Sequence, residues 1–245
     1  MGLFKKGPQQ RTEEAYKLYQ KGMAAYHNND LGKCIPALEK AIEIQSEVGE
    51  KNGEFVCHYQ LGDIYIKTEN FPRAIMHLQK ALVLADALDK EPDKIDINFM
   101  LGRVSRFSGH PEKAIPYLEA ASRLCHIYKE NEKLYSVLNN LGLAFRHTHN
   151  PAQARLTYEE ALAIPEISEN PGMEGVINNN LAMTYLDMGN PEKALAHLKA
   201  ALPLRKEARD VNGIAETLNN LVEVCKQVGD NAGAARYAQE FQSML

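Results

Sequence analysis

Six copies of one residue pattern recur along the chain at a fixed spacing of 40 residues. Each copy begins with a small residue, and a second small residue follows twelve positions later. The first position is filled by Gly22, Gly62, Gly102, Gly142, Ala182 and Val222, and the second by Cys34, Ala74, Ala114, Ala154, Ala194 and Ala234. A repeat of this length predicts a solenoid, a class of fold that usually presents a binding surface and rarely carries out chemistry.

Each copy contains two segments with the periodicity of an amphipathic helix. In the fourth copy, Leu138, Leu141 and Phe145 form one apolar stripe, and Ala154 and Tyr158 belong to a second. Second segments often begin with Asn-Pro, as at 150–151 and 190–191, where Asn is a favoured N-cap and Pro suits the first helical turn. We therefore predict an all-α fold in which each copy is a helix, a tight turn and a helix, with about twelve helices in total.

Composition narrows the function. The chain has 245 residues and a net charge of -4, which gives no support to nucleic-acid binding, because that needs a basic patch. No apolar run approaches the ~18 residues of a transmembrane segment, and the N-terminus lacks the apolar core of a secretory signal. Four cysteines without close pairs argue against a disulfide framework or a zinc site. We expect a cytoplasmic protein without transmembrane segment, metal or cofactor.

The sequence carries no recognisable catalytic motif. It contains no phosphate-binding loop, dinucleotide fingerprint, nucleophile elbow or kinase signature. His147 and His149 form a short His-x-His pair near a turn, but no carboxylate or thiol lies close by in sequence to complete a metal site. We expect a protein that is not an enzyme.

The order of residues within each copy resembles the tetratricopeptide repeat. The resemblance is carried by Leu-Gly, then Tyr, then Gly-Asn-Pro, Ala, Leu and Ala, as in the segment from Asn179 to Leu202. The spacing of 40 residues is longer than the common ~34-residue form. It is similar to the subclass found in kinesin light chain, in the spindle-orientation adaptors and in Rap-type bacterial peptide receptors.

This resemblance implies a fold and a mode of binding. It implies a right-handed α-solenoid of six helix hairpins, which binds extended peptides or short helices of a partner protein in a concave groove. We expect residues 1–10 to form a flexible tail and residues 11–245 to form a single solenoid domain of six repeats. The tail begins Met-Gly-Leu-Phe-Lys-Lys, and weak membrane contact by it stays an open alternative.

Asparagine pairs recur on the predicted outward face of the first helix in the last three copies. Asparagine is a poor helix former, so propensity does not explain three pairs in the middle of helices. An amide can donate to and accept from a peptide backbone, so a ladder of amides would hold an extended partner. Alternatively, one asparagine of each pair bonds between neighbouring helices and spaces the repeats. The pairs are Asn139 with Asn140, Asn179 with Asn180, and Asn219 with Asn220.

The same face carries other chemistry in the remaining copies. Arginines in the middle of the groove are candidates to pair with carboxylates of a ligand, although a solvated charged face is the simpler explanation for any single one. Aromatic residues gather toward the first copy, where filling the exposed end of the first hairpin is the alternative role. The candidate binding residues outside the asparagine pairs are Arg103, Arg106, Arg146, Phe99, Tyr59 and Tyr19.

Three functions are compatible with these features. The first is an adaptor that binds a peptide segment of another protein. The second is a scaffold that mainly self-associates into a homo-oligomer. The third is a regulatory peptide receptor or enzyme-accessory subunit of the Rap type. That type normally adds an N-terminal helical domain, whereas only about ten residues precede the first repeat here, which argues against it. We expect the first function and keep the self-associating scaffold as the alternative.

Overall fold

The structure, a computed structural model, describes residues 7–244. Within that range the chain forms thirteen α-helices and no β-strand, which confirms the predicted fold class. The chain divides into two compact units, one up to His110 and one from Pro111. The first unit contains α1 (Pro8–His27), α2 (Leu31–Val48), α3 (Lys51–Lys67), α4 (Phe71–Ala87) and α5 (Glu91–Phe107). The second contains α6 (Pro111–Tyr128), α7 (Asn131–His147), α8 (Pro151–Leu162), α9 (Pro165–Ser168), α10 (Pro171–Asp187), α11 (Pro191–Glu207), α12 (Val211–Gln227) and α13 (Asn231–Gln242).

Turns follow one another at intervals of 20 residues. A residue with positive φ recurs from Asn29 to Gly229 at this spacing, and position 169 alone is skipped. After seven of these residues, the next residue is the N-cap of the following helix, and its side chain accepts a hydrogen bond from a backbone N–H of the first turn. Two such helix-and-turn modules make one 40-residue repeat, so local turn chemistry sets the period that the sequence shows.

The second helix of the fourth repeat is interrupted, which gives thirteen helices where about twelve were expected. Pro165 has no backbone N–H, and its ring pushes the preceding residue away from helical geometry. Ile164 accordingly has extended backbone angles, with φ of -71° and ψ of 120°. The short helix α9 then follows, and its Ile167 is buried.

Small residues on first helices allow close packing against the second helix of the same repeat. A Cβ atom added to Gly62 would lie 2.6 Å from Cδ2 of Leu78, and one added to Gly142 would overlap the ring of Tyr158. The bulky side chains that Gly22, Gly62 and Gly142 face are fully buried: Leu38, Leu78 and Tyr158.

A buried pair of imidazoles joins the two helices of the second repeat. Nδ1 of His58 lies 2.8 Å from Nδ1 of His77, and Tyr65 stacks on the His77 ring. Burial, reinforced by nearby positive charge, lowers the pKa of both histidines to about 4. The fifth repeat places Asn178 and His197 at the equivalent positions, and their Oδ1 and Nδ1 atoms are 2.9 Å apart.

The N-terminal boundary differs from the expectation by a few residues. Helix α1 begins at Pro8, so residues 8–10 belong to the first helix, because proline is well suited to the first helical position. Residues 1–6 of the expected tail, including its Gly-Leu-Phe-Lys-Lys stretch, lie outside the described part of the chain. Among residues 7–244, no helix combines the length and the apolar character that a membrane crossing requires.

Candidate functional site

The asparagine pairs lie on the first helices of the second unit, and hydrogen bonds connect them from one helix to the next. Nδ2 of Asn180 on α10 donates to Oδ1 of Asn139 on α7 at 2.8 Å. Nδ2 of Asn220 on α12 donates to Oδ1 of Asn179 on α10 at 3.2 Å. In both bonds the second asparagine of one helix reaches the first asparagine of the preceding first helix. We call these four residues the asparagine ladder.

Asn179 differs from the rest of the ladder because it is 1% exposed. Its Nδ2 donates to Oε1 of Glu216 at 3.0 Å, and its Oδ1 also accepts from Thr217 at 3.4 Å. Asn179 therefore lies within the contact between α10 and α12, where it holds the two helices together.

The other five asparagines remain accessible to different degrees. Asn139, Asn180 and Asn220 are half-buried, and Asn219 is exposed. Asn140 is half-buried, and its Nδ2 donates to the backbone carbonyl oxygen of Ser136 at 2.9 Å. The six asparagines therefore fall into three kinds. Asn179 is buried, Asn140 bonds to the backbone of its own helix, and the other four are half-buried or exposed.

Arg146 of α7 is paired with a carboxylate. Its Nε donates to Oδ2 of Asp187 on α10 at 2.7 Å. The pair borders a cavity of about 570 Å³ that is also lined by His147, His149 and Pro151. Within the described range, no three histidine, cysteine, aspartate or glutamate side chains come together as a metal site. The charge of Arg146 is neutralised by Asp187 in this arrangement.

Sequence reasoning missed a buried arginine beside the ladder. Arg205 of α11 is 4% exposed, and its guanidinium donates to Glu216 at 3.2 Å and to Asp210 at 3.3 Å. Gly213 leaves the space for it, since a Cβ there would overlap the guanidinium. Gly53 lies 160 residues earlier and leaves space for Gln45, which is 160 residues before Arg205. The same spacing between a long polar residue and a glycine thus recurs at Gln45 with Gly53 and at Arg205 with Gly213. This recurrence is the sequence signal that could have indicated a buried Arg205.

Three candidate residues lie together on α5 in the first unit. The guanidinium carbon of Arg103 is 5.4 Å from the ring centre of Phe99 and 6.0 Å from that of Phe107. Arg106 lies over the Phe107 ring at 4.4 Å. Cations over ring faces at these distances are attracted by the ring quadrupole, so the rings and the guanidinium groups hold one another in place.

The two candidate tyrosines lie on α3 and α1. Tyr59 is half-buried, and its pKa is raised first by burial and then by the carboxylates of Asp96, Asp63 and Asp93. Three carboxylates therefore lie near Tyr59, and Lys67, which is paired with Asp63, partly offsets their effect on its pKa. Tyr19 is also half-buried, with a pKa raised mainly by burial, and it packs against the core of the first unit near Cys57.

The family of the chain follows from its sequence and its fold together. The model of the tetratricopeptide repeat matches residues 13–87, 54–126 and 174–243, which cover most of the chain. The protein therefore belongs to the tetratricopeptide repeat family. No curated protein sequence matches the chain.

Solved structures share the fold at low sequence identity. BtubC (BKLC) from P. vanneervenii has a TM-score of 0.67 and 19% identity, over 98% of this chain and 91% of that one. YrrB, described as a TPR protein with an unusual peptide-binding site, has a TM-score of 0.63 and 22% identity, over 81% and 90%. A Rap protein complexed with competence and sporulation factor has a TM-score of 0.63 and 15% identity, over 97% and 76%. A kinesin light chain-like repeat protein from Podosopora anserina matches at a TM-score of 0.66 and 17% identity, over 82% and 98%.

Proposed function

We propose that the protein is an adaptor that binds a peptide segment of a partner protein on the faces of its first helices. The accessible members of the asparagine ladder, Asn139, Asn180 and Asn220, are its main contact. The observation that carries this proposal is the bond between Asn139 and Asn180, because it fixes two half-exposed amides in one orientation. Amides that are already oriented lose little conformational entropy when a ligand binds, so they favour affinity.

The ladder still has hydrogen-bonding capacity after its internal bonds. An asparagine side chain offers two N–H donors and an oxygen with two lone pairs. The bond between Asn180 and Asn139 uses one donor and one lone pair, so each residue can bond a backbone group of a ligand as well. Such contacts recognise the peptide backbone and are indifferent to its side chains, which suits an extended segment or a short helix.

Buried Asn179 has a spacing role in this proposal, and the accessible asparagines have the binding role. The sequence left two roles open for the asparagine pairs, peptide binding and spacing of the repeats, and the proposal assigns them to different residues. The fold also supports the proposal, because the neighbours include YrrB and a Rap protein, whose descriptions name a peptide-binding site and a bound factor.

A selection experiment tests the proposal. Short random peptides displayed on phage are selected on the full chain, and the best binders are synthesised with a fluorescent label. Affinities are then measured by fluorescence anisotropy for the wild type and for Asn180→Ala combined with Asn220→Ala. Each lost amide–backbone bond is worth about 0.5–1.5 kcal/mol, so we expect the double variant to bind at least ~5-fold more weakly.

A matched control keeps the result interpretable. Gln153→Ala removes an exposed amide from α8, outside the first helices, and is expected to leave affinity unchanged. Thermal unfolding of all variants checks that they are folded. If the double variant binds the selected peptides as tightly as the wild type, the ladder only spaces the repeats, and the proposed site is wrong.

A further inference from the structure

The face of α5 that carries half-buried Phe99, Arg103 and Arg106 and exposed Phe107 has the composition of an interaction surface. Phe107 is 54% exposed, although large aromatic side chains are normally buried. It lies against Arg103 and Arg106, and Phe99 flanks Arg103 from the other side along the helix. Aromatic residues and arginine are the residue types enriched in interfaces and in the hot spots that carry most binding energy.

Arg103 is a cation with no anionic partner within the described part of the chain. Lys67 and Arg146, which lie on other first helices, are paired with Asp63 and Asp187. Arg103 instead contacts two ring faces, and these leave its N–H donors unused. A guanidinium presents a planar set of donors, which matches the geometry of a carboxylate.

The charge on this face changes sign along the helix. Asp93 and Asp96 lie in the N-terminal half of α5, close enough to Tyr59 to act on its ionisation. Arg103 and Arg106 lie in the C-terminal half. At 1.5 Å per residue, Asp93 and Arg103 are about 15 Å apart along the axis. The helix dipole favours this order of charges, but it gives no reason for two phenylalanines beside them, one of them exposed.

We propose that this face of α5 binds a partner segment that presents an acidic side chain to Arg103 and a basic side chain toward Asp93. In an extended segment, about 15 Å corresponds to a separation of roughly four to five residues. The inference rests on the proposed function, because it assigns a partner chemistry to one of the first-helix faces. Complementary charge fixes the direction in which such a segment lies.

The test uses the peptides selected on the full chain. We expect them to be enriched in aspartate or glutamate at one position and in lysine or arginine several residues away. Replacing that acid by its amide is expected to weaken binding about tenfold in the wild type, as for a charge-assisted pair. In Arg103→Glu, which binds the parent peptide weakly because two carboxylates face each other, the same replacement is expected to restore part of the affinity. Phe107→Leu removes a flanking ring and should give a smaller loss.

Arg123→Glu is the matched control, since it makes the same change of charge at an exposed arginine on α6. It is expected to leave affinity for the parent peptide unchanged. Peptides that bind tightly, lack a common acid and are insensitive to Arg103→Glu would overturn this inference and leave the proposed function standing, provided that the ladder variant still weakens them. If no peptide binds the chain, the proposed function and the inference both fail.

Discussion

Tyr158 is the aromatic member of a series of bulky residues on the second helices of the first five repeats, and Gly142 faces its ring. The other members, such as Leu78 and Leu198, are leucines. In the fourth repeat, the largest of these bulky side chains, Tyr158, therefore faces a glycine, the smallest residue, on the first helix. The fifth repeat has Ala182 at the first position, and there the bulky residue is Leu198.

Gly142→Ala is expected to destabilise the protein strongly. The added Cβ overlaps the fully buried Tyr158 ring, and overpacking of this kind costs roughly 1–3 kcal/mol. Urea unfolding followed by circular dichroism measures the loss. Adding Tyr158→Leu reproduces the alanine–leucine pair of the fifth repeat, so we expect the double variant to recover part of the stability of Gly142→Ala. A double variant whose losses simply add would show that the two residues are not coupled.

His58 and His77 are expected to make folding sensitive to acid. Burial lowers the pKa of both from the ordinary 6.5 to about 4, so the folded state holds them neutral. Between these values the unfolded chain binds more protons than the folded one. Their contribution to stability is therefore present above pH 6.5 and is lost as the pH falls toward 4. Urea unfolding at several pH values across this window measures the effect.

His58→Asn supplies the comparison for this prediction. The variant recreates the asparagine–histidine pair formed by Asn178 and His197 and leaves one titrating ring where there were two. We expect it to lose less stability than the wild type between pH 6.5 and 4. Equal losses in the two proteins would mean that the acid sensitivity arises elsewhere.

At the scale of helices, the sequence was sufficient for the features that local chemistry determines. The 40-residue period, the hairpins and the small first positions could all be predicted, because caps, turns and apolar spacing act over a few neighbouring residues. The interruption at Pro165 also has a local cause. Its outcome is that α8 ends at Leu162 and the short α9 follows, and this outcome depends on the tertiary contacts that bury Ile167.

Contacts between repeats could not be predicted in the same way. Asn179 and Asn180 are adjacent on the predicted outward face, yet Asn179 is buried against α12 and Asn180 is accessible. Arg146 has its partner 41 residues away in Asp187. A helical wheel shows which residues leave the hairpin core, but it does not show which of them the next hairpin covers. The structure was required to show that Arg146 is paired and that Arg103 has no anionic partner among residues 7–244.

At the scale of the whole chain, stability is expected to be built from contacts between successive helices. In the second unit, the packed elements are mostly neighbours in sequence, as in α7 with α8 and α12 with α13. Repeat proteins of this kind behave approximately as a row of units coupled to their nearest neighbours. A local weakening should therefore decrease in effect with distance along the row.

Hydrogen exchange in Gly142→Ala tests this expectation. Amide protection should fall most in α7 and α8, where the overlap with Tyr158 arises, and less in the neighbouring α6 and α10. It should fall least in α13, which is the farthest helix of the unit in sequence. Exchange followed by mass spectrometry of peptic fragments compares the variant with the wild type under native conditions, where local openings are visible. An equal loss of protection in α8 and α13 would show that the second unit opens as one cooperative block, and nearest-neighbour coupling would then be the wrong description.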